Sequence, residues 1–174
     1  IFLCLLLVSQ KVVSSELLNV THNTFSVQEQ IWAVAHHPVN GMIYTATASG
    51  LLEFNNYKYQ LYNLPENGGL RAVSIDSSGH IYSGGFEEFG YWKYNENCSL
   101  EYTSLSKSIH IQKNEEIWRI IIKDETIIYQ SFNNLYIYNG MNVERITPPG
   151  SILFLFDVNG EFVTHVVDSL LFSF

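Results

Sequence analysis

Leu70-Arg71-Ala72-Val73-Ser74-Ile75, Asp76-Ser77-Ser78-Gly79 and Ile81-Tyr82-Ser83-Gly84 follow one another as apolar run, turn and apolar run. A loop, Phe86-Glu87-Glu88-Phe89, leads to a third run, Gly90-Tyr91-Trp92-Lys93-Tyr94, and Leu100-Glu101-Tyr102 supplies a fourth. Each run is short, rich in β-branched or aromatic residues, and bounded by Gly, Asn, Asp or Ser, which reads as strand and turn. Four short antiparallel strands in succession make one blade of a β-propeller.

The unit recurs. Its opening appears as Ile31-Trp32-Ala33-Val34, Leu70-Arg71-Ala72-Val73, Ile117-Trp118-Arg119-Ile120 and, more weakly, Ser151-Ile152-Leu153-Phe154, at intervals of 39, 47 and 34 residues. The second-strand pair recurs as Ile43-Tyr44, Ile81-Tyr82, Ile128-Tyr129 and Phe162-Val163. Third strands are expected at Leu51-Leu52-Glu53-Phe54, Tyr91-Trp92-Lys93-Tyr94, Leu135-Tyr136-Ile137-Tyr138 and Leu171-Phe172-Ser173-Phe174. Self-similarity at such periods means stacked units that cannot bury their faces alone. Apolar residues in both alternation phases fit blades packed on both sides. No stretch keeps helical periodicity long enough for a stable helix. The expected fold is all-β, an incomplete β-propeller of about three to four four-stranded blades, with repeats starting near 31, 70, 117 and 151. Propellers close with about 4 to 8 blades, so the chain reads as part of a longer polypeptide.

The apolar fraction of 47% and charged fraction of 15% fit a folded chain. Ile1-Phe2-Leu3-Cys4-Leu5-Leu6-Leu7-Val8 is too short to span a membrane. It reads as a truncated secretory signal peptide over residues 1–15, with Val13-Ser14-Ser15 as the cleavage region; a buried strand is the alternative. Residues 16–30 read as a lead-in strand. A net charge of −8 disfavours direct contact with a nucleic-acid backbone. Cys98 is the one cysteine beyond the signal, so no internal disulfide framework is expected.

Candidate chemistry is sparse. Asp76-Ser77-Ser78-Gly79, Asp157-Val158-Asn159-Gly160 and Asn40-Gly41 resemble the Asp-box of sialidases, but Asp and Gly stand one residue too far apart, which leaves hairpin turns. Gly84-Gly85 does not open a helix and is no phosphate loop. The six histidines show no metal-ligand spacing, and no serine sits in a nucleophile elbow. No enzyme, metal or cofactor is expected.

Blade geometry points to one rim. The start of the first strand and the loop between strands two and three lie on the same edge of a blade. That edge carries Trp32, Arg71 and Trp118 at one equivalent position, with Ile152 in the fourth unit. Phe86, Glu87, Glu88, Phe132 and Asn133 join them from the inter-strand loops. Aromatic faces beside charges suit sugar or peptide recognition; equally, the tryptophans could fill the clefts between blades.

The stretch from Leu70 to Gly85 resembles the two-component regulator propeller repeat, as does Asn40-Gly41-Met42-Ile43-Tyr44 with Ser49-Gly50-Leu51-Leu52-Glu53-Phe54. Gly85-Phe86-Glu87-Glu88-Phe89-Gly90-Tyr91-Trp92 is similar to the triple-tyrosine-motif regulators of glycan-foraging Gram-negative bacteria. The resemblance implies a periplasmic sensor that binds oligosaccharides. A triple-tyrosine domain, a membrane helix and a DNA-binding or histidine-kinase output would follow it, and the full-length sensor could pair as a homodimer. This region would touch neither nucleic acid nor membrane directly. Other readings left open are an exported carbohydrate-binding scaffold, and a lyase or hydrolase whose catalytic residues lie elsewhere.

Overall fold

The computed structural model describes residues 30–55, 58–66, 68–169 and 171–173; the signal-peptide reading and nearly all of the lead-in strand lie outside them. Four antiparallel sheets follow one another along the chain. The first comprises β1 (Ile31–His36), β2 (Ile43–Thr47), β3 (Gly50–Phe54) and β4 (Tyr59–Tyr62). The second is β5 (Leu70–Ile75), β6 (Ile81–Gly85), β7 (Phe89–Tyr94) and β8 (Leu100–Ser104). A single helical turn, α1 (Ser106–Ile109), precedes the third sheet: β9 (Arg119–Lys123), β10 (Thr126–Gln130), β11 (Leu135–Tyr138) and β12 (Val143–Ile146). The fourth has three described strands, β13 (Ile152–Val158), β14 (Glu161–Val166) and β15 (Leu171–Ser173). Every sheet runs in chain order, and the first strands of the first three sheets pack against one another in succession. This is the expected incomplete β-propeller.

Three apolar layers lie between the blades. Tyr44 and Ala46 of the first blade meet Leu70, Val73, Ile81 and Trp92 of the second. Ala72, Tyr82 and Phe89 meet Ile117, Ile127, Tyr129 and Tyr136. Ile128 and Leu135 meet Ile152 and Leu155. Both faces of a middle blade are therefore buried, which is why its strands are apolar in both phases.

The structure corrects two sequence expectations. The third blade is offset by one: Ile127, opposite Tyr138, takes the place of Ile43 opposite Phe54 and Ile81 opposite Trp92. Ile128 therefore matches Tyr44 and Tyr82, and Tyr129 points the other way, where its hydroxyl donates to Gly90 O at 2.9 Å. The short turn at Asp124-Glu125 causes the offset, since Lys123 pairs directly with Thr126. The third strand of the second blade, expected from Gly90, begins at Phe89, and its Trp92 rather than Tyr94 stands in the column of Phe54. The long 47-residue interval is filled by α1 and the loop after it.

The Asp-x-x-Gly turns are hairpin turns. Asp76 Oδ1 accepts from the amides of Ser78 and His80, both at 2.9 Å, and Gly79 takes a φ of +91°. Asp76 Oδ2 accepts from Tyr82 at 3.1 Å and lies 2.9 Å from His80 Nδ1. Burial pushes this carboxyl up, but the amide, imidazole and phenol around it hold it below the ordinary 3.8.

Tyrosine hydroxyls close the same rim between the first two blades. Tyr44 and Tyr94 lie 2.6 Å apart, and each is 3.0 Å from Glu53 Oε2. Burial, followed by contact with Glu53 and neighbouring phenols, pushes Tyr62 to about 12. Tyr44 reaches about 12 as well, because burial outweighs its hydrogen bonds. An unfolded chain ionises these phenols near 10.0, so their contribution to stability is intact below that pH and drains away towards about 12. Denaturant titrations across this window should show falling stability, and the tyrosinate absorbance lost in Tyr44→Phe and Tyr62→Phe variants should be absorbance that appears above pH 10. Ionisation of Tyr44 or Tyr62 at pH 10 in the folded chain would contradict this.

Candidate functional site

The expected rim is built from a repeated β-bulge. Pairing between first and second strands skips one residue between Ile31 and Ala33, between Leu70 and Ala72, and between Ile152 and Phe154. The skipped residues are Trp32, Arg71 and Leu153. Trp118 holds the same place before β9, its amide donating to Gln130 O at 2.9 Å. A bulge re-aims one side chain out of the ladder, and here it does so at the same level in each blade. The fourth-unit member is thus Leu153, not Ile152, which is fully buried.

The residue before each bulge anchors its blade. Leu70, Ile117 and Ile152 are fully buried against the preceding blade. Backbone bonds reinforce two of these joints, with Ile117 N donating to Gly85 O at 2.9 Å and Ile152 N to Phe132 O at 2.6 Å. Fixed anchors on one side of the bulge hold the re-aimed side chains in place.

Four of the expected residues converge. The Arg71 guanidinium lies over the Trp32 ring, 4.2 Å from its centroid. Trp32 and Trp118 meet edge-to-face at 5.9 Å, and Trp118 meets Phe132 at 5.4 Å. The tryptophans therefore neither stand alone in the funnel nor disappear into a cleft; they form one half-exposed aromatic strip with the arginine on it.

A fifth member comes from the loop after α1. Phe86 and Glu116 form an antiparallel bridge, and Glu87 N donates to Glu115 O at 2.8 Å. Glu87 Oε1 accepts from Asn114 N at 2.6 Å. The next side chain, Glu115, is buried and accepts from Asn134 at 2.8 Å, Tyr136 at 3.1 Å and Asn133 at 3.3 Å. Pinned on both sides, Glu116 places Oε1 2.7 Å from Arg71 Nε, at ion-pair distance but off the N–H axis.

The other expected residues do different work. Glu88 Oε1 accepts from Ser104 and Ser106 at 2.7 Å and from Tyr102 at 3.0 Å, tying β8 and α1 to the inter-strand loop. Glu87 and Asn133 are fastened to the 114–116 segment. Phe86 is exposed beside a shallow cleft of about 320 Å³ that Leu64, Ile111, Glu87 and Glu88 also line. A larger cleft of about 670 Å³ lies on the opposite rim, between the Asn40 and Gly79 turns. Sequence reading missed Glu115 and Glu116 because they sit in a loop with no counterpart in the other units.

Trp118 Nε1 and Gln130 Oε1 are enclosed without a hydrogen-bond partner among the described residues. Such atoms are rare in folded proteins, and both belong to the strip of backbone that carries the bulge. Among the described residues there is no group of three or more potential metal ligands, and no helix is long and apolar enough to cross a membrane.

No protein-family model and no curated protein matches the chain. Solved structures do. The WD40 β-propeller domain of Doa1 is 12% identical with a TM-score of 0.64, over 84% of this chain and 51% of that one. The extracellular domain of the hybrid two-component system BT4673 from B. thetaiotaomicron is 15% identical with a TM-score of 0.62, over 83% of this chain and 22% of that one. Virginiamycin B lyase from Staphylococcus aureus, in an inactive form with quinupristin, is 12% identical with a TM-score of 0.61, over 86% and 57%. The chain thus spans about half of Doa1's propeller and about a fifth of the BT4673 domain. At these identities the likeness establishes the fold: the chain is a run of β-propeller blades.

Proposed function

We propose that this chain is a ligand-sensing propeller region of an exported signal-transducing regulator, non-enzymatic itself, and that it binds oligosaccharide at the bulge rim. The observation that carries the reading is the convergence of Trp32, Arg71, Trp118 and Phe132, from three blades, on one half-exposed strip. Aromatic faces stack on the apolar faces of sugar rings, while a charged group nearby bonds their hydroxyls. A site assembled from several blades also responds to their relative position, so a ligand that prefers one arrangement shifts the population of both. The repeat motifs and the likeness to the BT4673 extracellular domain support the sensory setting.

The test is intrinsic tryptophan fluorescence of the full chain against a library of oligosaccharides, followed by the same titration on Trp118→Ala. A saturable change that weakens about fivefold or more in the variant is expected, since loss of a stacking aromatic typically costs ~1 kcal/mol or more. If every oligosaccharide leaves the emission unchanged, the site reading fails. Deleting the gene should also abolish the transcriptional response to the sugar that binds; an intact response would leave a binding scaffold without a signalling role.

A further inference from the structure

Arg71 is prepared for a partner that the protein does not supply. Its guanidinium rests on Trp32, its Nε is matched to Glu116, and its side chain retains 23% exposure against 21% for Glu116. Among the described residues neither terminal amino group makes a hydrogen bond, and the carboxylate contact that fixes the guanidinium is the one at Nε. A stacked, tethered guanidinium has already lost much of its side-chain freedom, so a ligand need not pay that ordering again. What remains open is the planar edge with two parallel N–H donors, the arrangement that takes two oxygens of one anionic group.

We infer that the bulge rim selects acidic saccharides, with the terminal amino groups of Arg71 gripping a carboxylate or sulfate of the sugar while Trp32 and Trp118 receive its ring. This inference rests on the binding reading above and narrows its ligand class. Glu116 then has two opposing effects. It fixes the guanidinium in position, and its negative charge lowers the attraction for an incoming anion. The overall charge of −8 makes the point sharper, because one oriented arginine has to draw the anion to an acidic protein.

The experiment is a glycan array carrying neutral, uronate-bearing and sulfated oligosaccharides, probed with the full chain, with calorimetry on the best binder. Binding is expected on the acidic glycans, and the uronate and sulfate arms identify which anion is read. Arg71→Lys keeps the charge but loses the two-pronged edge, and should weaken binding roughly ten- to hundredfold. Glu116→Gln keeps the shape but removes the competing charge, and should tighten binding severalfold. Opposite signs from the two variants distinguish ligand recognition from a merely structural ion pair. Weakening by both, together with a fall in melting temperature, would overturn the inference. So would neutral glycans bound as tightly as acidic ones and indifferent to Arg71→Lys, although the binding reading would survive that. If no glycan of any class binds, both readings fall.

Discussion

Replacing Gly85 by alanine should destabilise the protein by about 3 kcal/mol, at the upper end of what overpacking usually costs, and lower the melting temperature by roughly 6–12 °C for a chain of this size. A Cβ at Gly85 would stand 2.0 Å from Gly69 O and 3.0 Å from Leu70 Cα. Those are backbone atoms of the adjacent strand opening, and they cannot swing aside as a side chain would. Both peptide groups flanking the Gly85 Cα are committed elsewhere, with Gly85 N donating to Glu88 O and Gly85 O accepting from Ile117 N, both at 2.9 Å. Moving them would therefore loosen the joint between the second and third blades. Gly84 is nearly as constrained, since its Cβ would meet Ile117 Cγ2 at 2.5 Å. Gly41 is the control: its Cβ would meet nothing within 4 Å, so Gly41→Ala should cost only the ~1 kcal/mol of a left-handed φ of +71°. Thermal or denaturant melts of the three variants check the ranking. Equal effects at Gly41 and Gly85 would show that conformational freedom, not the inter-blade contact, dominates.

A polypeptide of these 174 residues by itself should associate through the outer faces of its first and fourth blades. Ile31 and Val34 face away from the second blade and are 52% and 63% exposed, whereas Leu70 and Val73, in the same columns one blade on, are 0% and 6% exposed. Leu70 and Val73 are covered by the first blade. At the other end Phe154, Phe156 and Val158 alternate along β13 on one face, all exposed. Uncovered apolar faces of this kind drive association. Sedimentation velocity should show concentration-dependent oligomers, and Phe154→Glu with Phe156→Glu should shift them towards monomer without changing the β-sheet circular dichroism. A monomer at every concentration, with a sharp and reversible thermal transition, would remove this expectation.

Much of the blade plan could be read directly from the residues. Leu70 to Tyr102 shows its strands because each apolar run ends in a residue that favours a turn, and Asp76-Ser77-Ser78-Gly79 folds as the hairpin its chemistry dictates. The position of the bulge was legible as a column, since Trp32, Arg71 and Trp118 fall at equivalent places in their units. The bulge itself was not, because nothing local shows that pairing skips a residue. This is why Ile152 stood where Leu153 belongs.

Phase within the third blade was illegible for a related reason. Ile127, Ile128 and Tyr129 are all apolar enough for either face, and a slip of one residue exchanges faces without leaving a polar residue buried. Only packing against Phe89 on one side and Leu155 on the other distinguishes the two registers.

Fold class, repeat length and the rim that carries Trp32, Arg71 and Trp118 were determined by the sequence alone, because strand, turn and period depend on neighbours along the chain. The partnership of Arg71 with Glu116, the diversion of Glu88 to Ser104 and Ser106, and the burial of Glu115 were decided only by the tertiary structure. The first and last depend on the loop after α1 lying along the 85–88 segment, and the second on β8 and α1 meeting the inter-strand loop. Such long-range pairing is set by how whole blades stack, which no local pattern of residues records.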